Sequence, residues 1–174
     1  FMGIIRTLLK NKCLIQQFDN PAELLEEVNQ IVCIDNTECM FVTLFVAFYD
    51  IKSSNFSFAN AGHHPAIKIK KDSTTEEFGS LSNTLLGIYP SVKYKNDSIT
   101  LKSGESIFLY TDGISKATYP KKELYEVKRI KNKLQETNRL CCKNICKKLF
   151  NDVIEFQHNT LFDDMTVLIL KIKG

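Results

Sequence analysis

Three aspartates stand where a carboxylate could do chemistry. Asp112 comes just after the apolar run Ile107-Phe108-Leu109-Tyr110 and has Gly113 behind it, which puts an acid at a strand tip beside a flexible residue. Asp163 and Asp164 immediately precede a second run, Met165-Thr166-Val167-Leu168-Ile169-Leu170. If the two runs are antiparallel neighbours, both acidic clusters fall at the same edge of one sheet. Two carboxylates about 4 Å apart repel by roughly 1 kcal/mol in water and about 4 kcal/mol at an effective dielectric of 20. A divalent cation removes that cost. Oxygen ligands select hard ions such as Mg²⁺ or Mn²⁺, which acidify a bound water enough to supply hydroxide near neutral pH. Turn chemistry competes with this reading, because Asp-Gly at a strand end and Asp before a strand are common turn and cap arrangements. On residue type and position alone, both stand.

The elements that would position these acids can be read from periodicity. Ile4, Ile5, Leu8, Leu9 and Ile15 have helical spacing. A second helix follows a polar break: Asn20 caps it, Pro21 suits its first position, Glu23 completes a capping box, and Leu24, Leu25, Val28, Ile31 and Val32 form its apolar face. Residues 40–49 read as a strand buried on both faces, 50–55 as a turn, and Phe56, Phe58 and Ala61 as the returning antiparallel strand. Gly62-His63-His64-Pro65 interrupts it, and Ile67 and Ile69 restart a strand that ends in a polar loop over 71–77. Further strands are expected around Val92 and Tyr94, around Ile99 and Leu101, and over 106–110, with Ser103-Gly104 as a turn. Leu124, Val127, Ile130 and Leu134, then Leu140, Ile145, Leu149, Val153 and Ile154, predict a second helix pair before a final strand over 165–172. This order predicts one α+β domain over residues 1–174, with mostly antiparallel sheets.

Composition narrows the classes of function. A chain of 174 residues that is 44% hydrophobic can bury a real core. No apolar run reaches membrane-spanning length and the start lacks the zones of a secretion signal, so a soluble, cytoplasmic domain without membrane contact is expected. The opening Phe1-Met2, set inside an apolar-periodic segment, reads as a piece of something longer. A net charge of +3 does not imply nucleic acid. Lys121, Lys122, Lys128, Lys131, Lys133, Lys143, Lys147 and Lys148 read as solvated helix faces, since no aromatics interleave with them. Cys13, Cys33, Cys39, Cys141, Cys142 and Cys146 match no zinc spacing and are expected as reduced thiols, with Cys142 and Cys146 sharing a helix face.

Five motifs in series then narrow the reading. They are Cys39-Met40-Phe41-Val42-Thr43-Leu44-Phe45-Val46, Phe58-Ala59-Asn60-Ala61-Gly62-His63-His64-Pro65, Leu86-Gly87-Ile88, Leu109-Tyr110-Thr111-Asp112-Gly113-Ile114, and Asp163-Asp164-Met165-Thr166-Val167. Together they resemble the PPM-type serine/threonine phosphatases of the stage II sporulation protein E branch, bacterial relatives of eukaryotic protein phosphatase 2C. The resemblance implies a sandwich of two mostly antiparallel β-sheets flanked by helix pairs, with a two-metal Mn²⁺ or Mg²⁺ site at one edge. It also implies that Asp112 and Asp163 are metal ligands, that Asp164 contributes beside them, and that a metal-activated water attacks the phosphorus of a phosphoserine or phosphothreonine in line. His63 and His64 match the family's Gly-His-x-Pro turn and are read as structural, with proton transfer as the alternative. The substrate implied is a phosphorylated protein of sigma-factor control, such as an anti-sigma-factor antagonist.

The departures from the family pattern matter as much. The remaining family ligands come from a Gly-Asp strand and an Asp-x-x-Gly turn that would precede the first helix, and no residue here matches them. Asp19 and Asp35 flank the second helix, and Asp50 belongs to the hairpin turn. Ser115-Lys116-Ala117 follows Asp112-Gly113-Ile114, where relatives often carry an acid near Lys116. The resemblance therefore predicts the C-terminal portion of the domain, with missing N-terminal strands, an incomplete metal site, little activity of its own, and a sheet edge open to pairing with a second copy. Two other readings remain: a pseudophosphatase that keeps the fold as a protein-binding module, and an α+β domain whose strand-end aspartates only make turns.

Overall fold

In the computed structural model, which describes residues 1–34, 36–80, 84–118, 123–158 and 163–173, the order of elements follows the helix and strand signals closely. Along the chain run α1 (Met2–Ile15), α2 (Pro21–Ile34), β1 (Leu44–Asp50), β2 (Asn55–Ala61), β3 (Ala66–Ile69), β4 (Thr75–Phe78), β5 (Asp97–Thr100), β6 (Ser106–Tyr110), α3 (Asp112–Ser115), α4 (Glu126–Thr137), α5 (Cys142–Phe156) and β7 (Val167–Lys171). These elements form two compact units, Phe1–His63 with Gly79–Thr100, and His64–Phe78 with Leu101–Gly174.

In the first unit, α2 begins where the sequence supplies a cap. The Asn20 side-chain oxygen accepts from the N–H groups of Ala22 and Glu23 at 3.0 and 3.2 Å. The Glu23 carboxylate reaches back to the N–H of Asp19 at 3.3 Å and the side-chain amide of Asn20 at 2.9 Å, which holds the cap in place. Leu24, Leu25, Val28 and Val32 bury their stripe together with Ile5, Ala59, Ala61 and Leu86. On α1, Ile5 is buried in this core while its neighbour Ile4, about 100° round the helix, lies exposed. The sheet is antiparallel, in the order β1-β2-β5, with Phe45 opposite Asn60 and Phe56 opposite Ile99.

The expectations here need three corrections. Residues 40–43 do not join β1: the Asn36 side chain accepts from the Met40 N–H at 2.9 Å and donates to the Met40 carbonyl at 2.6 Å, and Val42 pairs instead with Leu86. The strand itself is half-buried, not buried on both faces. Val92 and Tyr94 form no strand. Their segment is tied to α2 through Glu26, which accepts from the Tyr94 N–H at 3.2 Å and pairs with Lys93 at 2.5 Å. The Leu86-Gly87-Ile88 motif is anchored by buried Asn29, which accepts from the Gly87 N–H at 2.8 Å and donates to the Tyr89 carbonyl at 2.7 Å. Gly87 has φ +98, and a Cβ there would meet the Met40 carbonyl oxygen at 2.7 Å, so the motif needs its glycine.

The second unit is a four-stranded antiparallel sheet in the order β4-β3-β6-β7. One of its faces carries α4 and α5: Ile67, Ile69, Phe108 and Tyr110 pack with Ile130, Leu134, Ile145, Leu149 and Val153. The Tyr125 hydroxyl donates to the Asp152 carboxylate, which also pairs with Lys133 at 2.6 Å. Strand β4 overlaps the segment read as a polar loop. Its Glu76 and Glu77 pair with Lys70 and Lys131 at 3.1 and 2.5 Å, and such charges suit an edge strand while hiding it from a search for apolar alternation.

Inside this unit, Lys68 on β3 reaches Glu105 at 2.9 Å, with side chains only 15% and 9% exposed. Burial pushes the Glu105 carboxyl up, but the Lys102 N–H at 2.8 Å and the Lys68 ammonium outweigh it and hold the group below its ordinary value of 4.5. A depressed carboxyl contributes stability that is complete above its unfolded value and lost as pH falls through the folded one. Lys68→Met is accordingly expected to cost about 2 kcal/mol at pH 7, and the gap to the unaltered protein should narrow below about pH 4.5 as Glu105 protonates. Denaturant unfolding of both proteins across that range checks it.

Candidate metal-binding edge

The antiparallel register of β6 and β7 sets Leu109 opposite Leu168 and Tyr110 opposite Val167. One threonine extends the pairing past the end of β6. The Thr111 N–H donates to the Thr166 carbonyl at 3.1 Å, and the Thr111 hydroxyl oxygen accepts from the Thr166 N–H at 3.0 Å. The exit of β6 and the entry to β7 are thus sewn together at the positions where Asp112 and the Asp163-Asp164 pair stand.

After Thr111 the chain makes one helical turn, α3, rather than a plain Asp-Gly turn. Ile114 and Ala117 are buried in the core of the unit and fix this turn to the sheet. Gly113 is what allows the close approach: a Cβ at that position would lie 2.3 Å from the Asp164 carbonyl oxygen and 3.6 Å from the Asp163 Cβ. The strands therefore bring the predicted residues Asp112, Asp163 and Asp164 to one edge. Asp163 and Asp164 are exposed and Asp112 is partly so. One Asp163 oxygen accepts from the Asp164 N–H at 2.8 Å.

The electrostatics are set by a residue that the sequence analysis did not pair with Asp112. The Lys116 ammonium lies 2.8 Å from the Asp112 carboxylate, and this ion pair is the main reason the Asp112 carboxyl is held below its ordinary value; burial opposes the shift, and the His64 imidazole adds to it. Asp112 in turn raises the Lys116 ammonium, with a smaller pull from Asp163. Asp112 and Lys116 four residues apart is a signal that could have been read, since an acid four positions before a base on a helix meets it.

Of the two histidines, His64 stacks on Tyr110 with ring centroids 5.6 Å apart. His63 sits edge-on to Phe45 at 6.4 Å. The backbone of the Gly-His-His-Pro turn is held by buried Asn60, whose side chain accepts from the His63 N–H at 2.7 Å and donates to the carbonyls of His63 and Gly79 at 2.8 and 2.6 Å.

The donor set suits a hard cation in kind: carboxylates partly open to solvent, with an ammonium already drawn to one of them. In number it falls short. Among the described residues, no group of three or more His, Cys, Asp or Glu side chains could hold a metal ion. The Asp19 backbone N–H donates to Glu23 at the start of α2, and the Asp50 carboxylate serves the hairpin turn, where it accepts from the Lys52 N–H and the Ser53 hydroxyl at 2.9 and 2.6 Å. Asp35, Lys121 and Lys122 lie outside the described residues. All six cysteines are free thiols, and burial pushes the Cys146 thiol up. Lys131 and Lys133 are engaged in ion pairs, while Lys128, Lys143, Lys147 and Lys148 lie on exposed helix faces. Among the described residues, no helix is long and apolar enough to cross a membrane.

Comparison with known proteins supplies a frame for this edge. The family model described as stage II sporulation protein E (SpoIIE) matches residues 1–173. Phosphoserine phosphatase RsbU of Bacillus subtilis is 25% identical over 154 residues, 88% of this chain and 46% of that protein. The chain thus spans less than half the length of that curated relative. The SiaA-PP2C domain of Pseudomonas aeruginosa superposes with a TM-score of 0.85 at 17% identity, over 98% of this chain and 68% of that one. The phosphatase domain of the cell fate determinant SpoIIE from Bacillus subtilis, Mn presoaked, gives 0.66 at 23% identity, over 97% and 71%. The two antiparallel sheets with their helix pairs are thus a fold shared with PP2C-type phosphatase domains.

Proposed function

We propose, because this chain belongs to the stage II sporulation protein E family, that its parent protein is a metal-dependent phosphatase of phosphoserine or phosphothreonine in a protein substrate. The observation that carries this reading is the seam between β6 and β7, where Asp112 and Asp163 share one edge. In this reading the two carboxylates hold Mn²⁺ or Mg²⁺, with Asp164 contributing beside them. When bound, such an ion supplies Lewis-acid stabilisation of phosphoryl charge and a water acidic enough to act near neutral pH. The chain's own residues do the positioning: the Thr111–Thr166 pairing fixes the spacing of the acids, and Gly113 lets the two segments close. In this reading the remaining ligands would come from the family's Gly-Asp strand and Asp-x-x-Gly turn, which no residue here matches. The substrate class that fits the family is a phosphorylated regulator of a sigma-factor pathway, such as an anti-sigma-factor antagonist, and an open sheet edge suits pairing of two copies.

A second reading, a protein-binding module without catalysis, is favoured by the ammonium seated on Asp112. One set of measurements separates the two. Mn²⁺-dependent hydrolysis of a chromogenic phosphate ester and of a phosphoserine peptide is expected from a longer form of the protein, and little from this chain alone. Silence in both forms supports the binding module, and robust turnover by the short chain overturns the divided site. Light scattering on the same samples reports whether copies pair.

A further inference from the structure

Asn138 closes α4 and is held by two strands of the sheet in the second unit. Its side-chain amide donates to the Lys70 carbonyl at 3.0 Å, just past the end of β3, and its own carbonyl accepts from the Lys171 ammonium on β7 at 2.5 Å. Those strands flank β6, whose first residue, Ser106, is paired with Ile69 on one side and Lys171 on the other. Neighbouring strands lie about 4.8 Å apart, so a residue held from both β3 and β7 sits over β6 at Ser106. The Ser106 side chain points to that same face, because side chains alternate along a strand and Phe108 and Tyr110 pack against α4 and α5. Two oxygens at this corner lack a partner. Ser106 Oγ and Asn138 Oδ1 are both buried, in residues 0% and 4% exposed, and neither has a hydrogen bond among the described residues. Folded proteins leave few buried polar atoms in that condition, because the lost hydration is not repaid. Beside them stands a donor with a proton to spare: an ammonium has three, and Lys171 gives two, to the carbonyls of Asn138 and Leu140 at 2.5 and 3.5 Å.

We propose that this corner is a binding site for one ordered water, held by the Lys171 ammonium, Ser106 Oγ and Asn138 Oδ1. The water accepts from Lys171 and donates one proton to each oxygen, which gives it the three hydrogen bonds typical of buried water. The lining selects water over an ion. A cation would meet the ammonium, and an anion would meet Asn138 Oδ1, which can only accept. The bridge ties the α4–α5 corner to β6 and β7 at the end of the sheet away from Asp112, so that end is fixed through a solvent molecule as well as through direct contacts.

Ser106→Ala tests the site through the sign of its effect on denaturant unfolding of the 174-residue chain. With a bridging water the substitution removes a hydrogen bond in use, and the unfolding equilibrium constant should rise about fivefold. A hydroxyl that is merely buried without a partner costs stability, so an unchanged or lower constant on its removal overturns the proposal. Asn138→Ala supplies the second background. It also breaks the contacts to Lys70 and Ser73, so its own effect is larger. Once Asn138 is gone the bridge is already broken, and adding Ser106→Ala should change the constant by less than about twofold. The same fivefold rise in both backgrounds overturns a shared water. A high-resolution crystal structure gives the direct readout: a density peak about 2.7–3.2 Å from both oxygens is expected. Its absence, or a direct hydrogen bond from Ser106 to Asn138 or to a backbone carbonyl, overturns the site.

Discussion

Under the proposed phosphatase reading, Asp112→Asn in a longer form of the protein is expected to lower Mn²⁺-dependent phosphatase activity by more than about a hundredfold with little loss of stability. Changing a partner that merely orients a metal ligand costs 10–100-fold, so removing a ligand's charge should exceed that range. The structural cost is small because the ion pair that the side chain makes with Lys116 is exposed, and exposed pairs contribute about 1 kcal/mol or less. Asp163→Asn should behave in the same way, since the amide oxygen of asparagine can still accept from the Asp164 N–H. Asp164 differs, because the neighbours that constrain it meet its backbone: its carbonyl oxygen faces Gly113 and accepts from the Thr111 hydroxyl at 3.4 Å. Asp164→Asn should therefore cost less, about 10–100-fold, as expected of a residue that supports the ligands. Steady-state kinetics across a Mn²⁺ titration, paired with thermal unfolding, distinguish these cases. Equal losses at 163 and 164 would shift the ligand role towards both residues, and no loss at 112 would return the edge to turn chemistry.

The sequence was most legible where burial and local chemistry point the same way. The α2 cap, the hairpin turn at Asp50 and strand β6 follow from residue types whose preferences the tertiary structure does not override. The register of β6 on β7, and with it the meeting of Asp112 and Asp163, needed only the assumption that two apolar runs pair. Illegible elements were those held by side chains reaching across the fold. Asn36 breaks an apolar run that reads as strand, Glu26 claims the segment around Tyr94, and β4 is charged because it is an edge. At the candidate site the acids announced themselves by position. Lys116 read only as a departure from a family pattern, since its pairing depends on the helical turn that α3 forms in place of a simple Asp-Gly turn.

Gly113 carries the second large expectation. A methyl group there would stand 2.3 Å from the Asp164 carbonyl oxygen and 3.0 Å from its carbonyl carbon, and backbone atoms cannot rotate away as a flexible side chain would. Gly113→Ala must therefore push the 163–164 segment off the start of α3, which strains the Thr111–Thr166 pairing and separates the two acids. Overpacking of this kind costs about 3 kcal/mol where the backbone has to move. The same displacement should weaken Mn²⁺ binding, although the substitution removes no ligand and no charge. Gly3 provides the contrast, since it lies on the exposed face of α1 with nothing within 4 Å of an added Cβ. Gly3→Ala should stabilise the chain by up to about 1 kcal/mol through helix propensity alone. Chemical denaturation of the two variants, with Mn²⁺ broadening measured on each, decides the matter: if alanine at 113 is as harmless as alanine at 3, the β6–β7 seam is not what holds the acids together.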